Sequence, residues 1–292
     1  MDFLNFCAAH GIILNHVPPI GIWKRYPTTD HPKKRNGAVK FMGDHAFVQN
    51  HATDTEVSVW QTDKPVNIDV ARIAKLAKDA ENERRKMQLD AAAKADHILR
   101  NSPLAKHDYL KAKGFEDSWG KVWTKDGEQI LVIPMWVDRQ LVGCQLIKAD
   151  GSKKFLFGQR TSGAEFCIDR QGDHILCEGY ATGLSIQKAM KSLKRPYTIH
   201  ICFSAGNMKK VAEGKRGLVI ADNDASGTGE RVAKEIGWPY WMSDKVGEDA
   251  NDFHARVGLF RFTQSLTPLL NRLRLLRHGN SDEAAAHNLS VK

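Results

Sequence analysis

The sequence predicts an α/β protein in which a parallel sheet flanked by helices follows two smaller β-rich pieces and a long helix. Three observations carry this. The apolar runs Ile175-Leu176-Cys177 and Leu218-Val219-Ile220 continue without polar alternation, as strands buried on both faces do. Between and after them, strand-like and helix-like stretches alternate, which argues right-handed parallel crossovers. Upstream, about thirty residues carry no Gly or Pro and read as one helix.

Taken in order, residues 1–66 alternate short apolar pieces with turns (Trp23, Tyr26, Phe41, Phe47, Val59, Trp60) and predict a small β-rich module. Its basic run Lys33-Lys34-Arg35 precedes Asn36-Gly37, a hairpin signal. These cations could grip a template's phosphates or simply sit in a solvated turn, and the flanking aromatics could stack bases or fill a core. Residues 67–103 hold the linking helix, expected from Ile68 to Arg100. Its thin apolar stripe (Ile73, Leu76, Ala80, Met87, Ala91, Ile98) suits a linker better than a core element. Ser102-Pro103 ends it.

Residues 104–168 read as a basic α+β part. HDYLKAKGF gives a short helix closed by Gly114, and β-rich stretches follow with turns at Asp126-Gly127 and Asp150-Gly151. Residues 169–255 supply the parallel sheet, with strands at Ile175–Cys177, Tyr197–Phe203, Leu218–Ile220 and Trp238–Met242. Residues 256–292 give a basic amphipathic helix to about residue 277 (Leu259, Phe260, Leu266, Leu269, Leu270, Leu273, Leu276), then a polar tail expected to be disordered.

The acids decide the chemistry. Glu178 follows one buried strand, and Asp222 and Asp224 follow another, at the strand ends where open α/β sheets bind ligands. Asp-Asn-Asp could merely cap the next helix. With Asp252 in the loop beyond the last strand, however, four carboxylates share one rim. Two of them about 4 Å apart repel by roughly 4 kcal/mol at an effective dielectric near 20. A hard divalent cation reverses that sign.

Glu178-Gly179 after a strand, then Asp222-x-Asp224, resembles the Toprim domain of primases and topoisomerases. IPMWVDRQLVGCQLIKADGSKKFLFGQRTSGAEFCI, CEGYATGLS, FSAGNM and GEDANDFH are similar to the plasmid- and phage-type Toprim primases over about residues 105–255, and GIWKRYPTTDHPKKRNGAVKF more weakly to their amino-terminal segment. The resemblance implies a DNA primase, a nucleotidyltransferase making short RNA primers on single-stranded DNA from ribonucleoside triphosphates with Mg2+ or Mn2+. It implies Glu178, Asp222 and Asp224 as catalytic and metal-binding acids, with Asp252 as a further ligand. Lys154 matches the family's basic motif and is expected at the nucleotide phosphates, with Lys153 and Arg160 beside it. Lys209 and Lys210 are expected, with Lys33, Lys34 and Arg35, at the nucleic-acid backbone. Cellular bacterial primases usually carry another acid four residues after the Toprim glutamate; here Thr182 stands there.

Composition sets bounds on this reading. The chain has 292 residues and a net charge of +9, which suits a polyanionic partner. No CxxC spacing occurs, so no zinc is expected, although Cys7, His10 and His16 are ligand types. GxxxxGK[ST] is absent, so a separate replicative helicase is expected as partner. No apolar run reaches membrane length and no signal peptide is visible, which predicts a cytoplasmic protein, in the host cytoplasm if phage-encoded. Two other readings stay open: a Toprim nuclease using the same acids, and a non-enzymatic single-stranded-DNA-binding accessory protein. A topoisomerase would need a further domain with a cleaving tyrosine.

Overall fold

A computed structural model describes residues 1–54, 56–62 and 70–289, without the side chains of residues 70, 72, 73 and 274–289. It divides into two compact units, residues 1–86 and 87–292. The first opens on α1 (Phe3–Ala9), whose amino end is capped by the Asp2 carboxylate accepting the Asn5 N–H at 2.9 Å. An antiparallel meander follows: β1 (Trp23–Tyr26), β2 (Gly37–Phe41), β3 (His45–Asn50) and β4 (Ser58–Gln61). Phe3 and Cys7 of the helix pack on Val39, Ala46 and Val48. Asn36-Gly37 does not form a tight hairpin. Gly37 already pairs with Tyr26, so the basic run lies in the longer loop from β1 to β2.

Helix α2 (Val70–Arg100) belongs to the first unit as far as Lys86 and to the second beyond it. Ile68 and the Ile73 side chain lie outside the described residues. Its last turns do more than link: Ala91, Ala95 and Ile98 are buried against Val132, Cys144 and Leu156. Small alanines let the helix approach the sheet closely, so a thin stripe suffices.

The second unit contains two five-stranded sheets. One is antiparallel, in the order β5 (Leu104–Ala105), β6 (Gly120–Lys125), β7 (Glu128–Val137), β8 (Gln140–Ile147) and β9 (Lys153–Phe155), with α3 (Asp108–Ala112) inserted after β5. The other contains β10 (Phe166–Asp169), β11 (Asp173–Cys177), β12 (Tyr197–Ile201), β13 (Gly217–Ala221) and β14 (Tyr240–Met242), in spatial order β10-β12-β11-β13-β14. Only β10 runs antiparallel there. Helices α4 (Tyr180–Ser192), α5 (Ala205–Ala212), α6 (Thr228–Ile236) and α7 (Ala250–Leu289) complete the unit.

Strand alternation explains the uninterrupted apolar runs. Ile175, Cys177, Leu218 and Ile220 face a core shared with Leu184 of α4 and Phe262 and Leu266 of α7. Leu176, Val219 and Ala221 face the opposite core with Met208 of α5 and Val232 of α6. The antiparallel sheet joins the first core through Leu131, Ile133 and Ile147.

Helix α7 begins at Ala250, ahead of the residue-256 start that the sequence suggested, and Gly258 breaks it with φ 80°. Phe262, Leu266, Leu270 and Leu273 form its buried face, whereas Phe260 is 80% exposed. Its backbone stays helical to Leu289, where a disordered tail after His278 was expected; the face at Leu276 lies outside the described side chains. Among the described residues no helix is long and apolar enough to cross a membrane.

The β11–β13 pairing needs a residue without a side chain. A Cβ at Gly217 would stand 2.0 Å from the His174 carbonyl oxygen. Gly217→Ala should therefore destabilise the second unit by roughly 1–3 kcal/mol, read as a lowered urea midpoint; an unchanged midpoint would show that the strands can part at no cost.

Candidate functional site

The sheet order brings the acids together. The chain leaves β11 for β12 and then returns past β11 to β13, so the strands ending in Glu178 and Asp222 are direct neighbours. That reversal is the crevice where open α/β sheets bind ligands.

Asp222 follows β13 directly. Its Oδ1 is buried and, among the described residues, finds no hydrogen-bond partner. Burial, then the negative charges of Glu178 and Asp249, pushes its carboxyl up from 3.8 to about 7; Lys153 opposes the shift and Asp224 adds to it. Glu178 is raised too, first by burial and then by Asp224, against an N–H bond from Ala205 and the charge of Lys153.

Asp224 differs. Burial works against its charge, but the N–H groups of Ser226 (2.8 Å) and Gly229 (3.1 Å) and the Ser226 hydroxyl hold its pKa below the ordinary value. The capping role is therefore real for Asp224, at the entry to α6, and absent for Asp222. Gly229 is obligatory there, since a Cβ would lie 2.2 Å from the Asp222 carbonyl oxygen.

Asp249 couples to Asp222, while its own Oδ1 accepts the Asp252 N–H at 2.8 Å and opens α7. The preceding turn is clamped. Arg256 donates to both oxygens of Glu248, holding that carboxyl down at about 2, and Ser243 donates to the same group. Asn251 ties the helix start to the Lys113 carbonyl (3.0 Å) and to Ser185 Oγ (3.1 Å).

The other sequence-predicted residues are placed as follows. Asp252 pairs with Lys113 at 3.1 Å, so the acid this segment sends toward Asp222 is Asp249. Lys154 does not face the acids. Successive side chains on β9 point to opposite faces: Lys153 is felt by Glu178 and Asp222, whereas Lys154 lines a hollow of about 300 Å3 with Trp123, Lys125 and Lys148. Arg160 is exposed and donates to the Ser162 carbonyl at 3.1 Å. Lys209 pairs with Glu235 at 2.5 Å, and Lys210 lines a cavity beside the amino end of α5. Lys33 and Lys34, in the first unit, border a hollow with Asp30 and His31, and exposed Arg35 follows them. Cys7 is buried in the core of that unit, its thiol pushed up to about 12 by burial, and His10 lies 3.4 Å from the Asp54 carboxylate. Asp249 and Lys153 carry more of the site than their sequence signals suggested; the usable signals were a helix-capping position and strand parity.

Among the described residues no three His, Cys, Asp or Glu side chains already converge at metal-ligand spacing. The donor set nevertheless suits a hard cation. Asp222 offers an orphaned buried oxygen, Glu178 is held above its ordinary pKa, and Asp224 and Asp249 add charge.

No known family model matches the chain. Among solved structures, a bacteriophage T7 complex overlaps it with a TM-score of 0.37 and 15% identity, over 59% of this chain and 89% of the other. That complex is described as the lagging-strand DNA polymerase interacting with primase domains of two gp4 subunits bound to an RNA/DNA hybrid and dTTP. The overlap is coarse.

The carboxyl of Asp222 is raised from 3.8 to about 7 on folding, so between those values the folded chain holds a proton that the unfolded chain has lost. Without divalent cation, stability therefore falls as pH rises through that window. In chelator, Asp222→Asn should be more stable than wild type at pH 8, by roughly 1–3 kcal/mol, and indistinguishable below pH 4. Mn2+ should raise the melting temperature of wild type and leave that of the variant unmoved. A variant less stable at every pH would refute the electrostatic reading.

Proposed function

We propose that this protein is a Toprim-type DNA primase: a nucleotidyltransferase that builds short RNA primers on single-stranded DNA, using Mg2+ or Mn2+ held by Glu178, Asp222, Asp224 and Asp249. The observation that carries this reading is the unpartnered, buried Asp222 oxygen at a crevice rimmed by three other acids and faced by Lys153. The resemblance of CEGYATGLS and the Asp222-x-Asp224 pair to the plasmid- and phage-type primases supports the choice among phosphoryl-transfer chemistries.

A bound divalent cation lowers the pKa of an attacking 3′-hydroxyl and neutralises phosphate charge. The chain's own groups do the rest. Asp224, held ionised by four N–H and O–H donors, keeps a fixed negative charge at the rim. Glu178, with its raised pKa, is suited to accept the hydroxyl proton. Lys153 supplies positive charge where a triphosphate would otherwise meet carboxylates. The clamp of Arg256 on Glu248 and the Asn251 bonds keep the Asp249 turn from moving away as like charges approach. The cations of the first unit serve as template-backbone contacts in this reading, and a separate replicative helicase completes the partnership in the cytoplasm.

The test is incubation with single-stranded DNA, labelled ribonucleotides and Mg2+ or Mn2+. Primers are expected; a shortened template would mean a nuclease, and neither product a binding protein. Asp222→Asn should cut synthesis by at least roughly 100-fold without unfolding the chain. Lys153→Ala should raise the Michaelis constant for nucleotide more than Lys154→Ala does, and the reverse order would reinstate the sequence expectation for Lys154. Replacing Lys33, Lys34 and Arg35 with alanine should flatten the salt dependence of single-stranded DNA binding, by about 0.7 in log–log slope per lost contact; a wild-type slope would remove these residues from the template path.

A further inference from the structure

Beside the acids lies a cavity of about 430 Å3, within the range of roughly 300–1,000 Å3 usual for small-ligand sites. It is bounded by Phe155 of β9, Phe203 at the end of β12, Thr161, the first turn of α5 (Ser204, Gly206) and Lys210. Phe155 is 43% exposed on a short edge strand. Phe203 stands perpendicular to it, with ring centroids 6.2 Å apart.

Phe203 itself is strained. It holds φ +66°, a conformation costly for a bulky side chain. Its backbone N–H donates to the Glu178 carbonyl at 2.9 Å, so the strained residue is tied to the catalytic acid's own backbone. Asn207 locks the surround: its amide donates to the Cys202 and Ala164 carbonyls (2.8 and 2.7 Å) and its Oδ1 accepts the Gly163 N–H at 2.7 Å. These bonds give the cavity preformed walls.

Its position relative to the acids is set by two short links. The backbone N–H of Ala205, the first residue of α5, stabilises the charged Glu178 carboxylate, and the next residue, Gly206, lines the cavity. On β9, Lys153 and Phe155 are two apart and share a face, the first felt by the acids and the second walling the cavity. Among the described residues no Asp or Glu lines the cavity, whereas Thr161, Ser162, Ser204 and Lys210 do.

We propose that this cavity seats the base of an incoming nucleoside triphosphate, stacked on Phe155, with its phosphates passing Lys153 to reach the acids. This rests on the primase reading above. A flat aromatic heterocycle fits a cavity with an exposed phenyl ring on its wall and hydroxyl and ammonium groups around it, and a triphosphate fits the cationic side of β9. Because every base has a π-face, such a seat accepts all four nucleotides.

The test compares ATP with inorganic tripolyphosphate by calorimetric titration of the full chain in Mn2+, for wild type, Phe155→Ala and Phe155→Tyr. Wild type should bind ATP more tightly than tripolyphosphate. Phe155→Ala should weaken ATP roughly 5- to 100-fold while leaving tripolyphosphate unchanged, and Phe155→Tyr should restore ATP binding. Equal weakening of both ligands, or unchanged ATP binding, overturns the proposal. Loss of single-stranded oligonucleotide affinity with ATP intact also overturns it and assigns the cavity to a template base. The two readings fail separately: primer synthesis without an ATP preference removes the base seat alone, whereas an ATP preference lost in Phe155→Ala without synthesis removes only the primase reading.

Discussion

The pairing of β11 with β13, His174 against Gly217 and Leu176 against Val219, places two strands buried on both faces in direct contact. Neither strand has a polar face to give to solvent, so their only polar outlets are their ends. The carboxyl ends carry Glu178 and Asp222. Burial of the apolar strands thus forces two acids into one crevice, and folding must oppose their repulsion with no salt bridge to either among the described residues. The site is a consequence of hydrophobic topology before it is a consequence of chemistry.

Holding such a site still is the task of the surrounding polar bonds. Asn223 donates to the Ser243 carbonyl at 3.0 Å, and its own carbonyl accepts the Gly247 N–H at 2.6 Å, so the Asp222–Asp224 loop is sewn to the turn that carries Asp249. Arg256 and Glu248 clamp that turn from behind. Asn251 joins it to α3 and α4, where Ser185 also meets His254 at 3.0 Å. Ser243, Glu248 and Asn251 are buried and hydrogen-bonded, and the exposed Arg256 closes over them, which makes the rim a rigid frame.

Much of this was legible in the chain. The three inner parallel strands, β11, β12 and β13, could be read from their apolar runs, because a strand buried on both faces has to look that way. Glu178, Asp222 and Asp224 could be read from their places after those runs. Other features were not legible, for physical reasons. The sequence does not say that β12 lies outside β11, and it is this ordering that makes the acids neighbours. Between Lys153 and Lys154 only strand parity decides, and parity requires knowing the register of Ile147 against Lys153. Asp249 and Asp252 both open a helix in sequence, but only the fold shows that Lys113 engages the second. Helix α1 was hidden because two buried residues, Phe3 and Cys7, leave too short a period to detect.

Asp222 and Asp224 stand two positions apart and yet answer to different constraints. Asp224 anchors the amino end of α6, so folding alone would retain it in a descendant that had lost all chemistry. Asp222 gives the fold nothing of that kind: its buried oxygen is unpartnered and its charge opposes burial. On the proposed function, a lineage released from that chemistry should therefore lose residue 222 early and keep residue 224. On that reading the state of residue 222, rather than of the pair, is what would separate a working copy from a relic with the same shape.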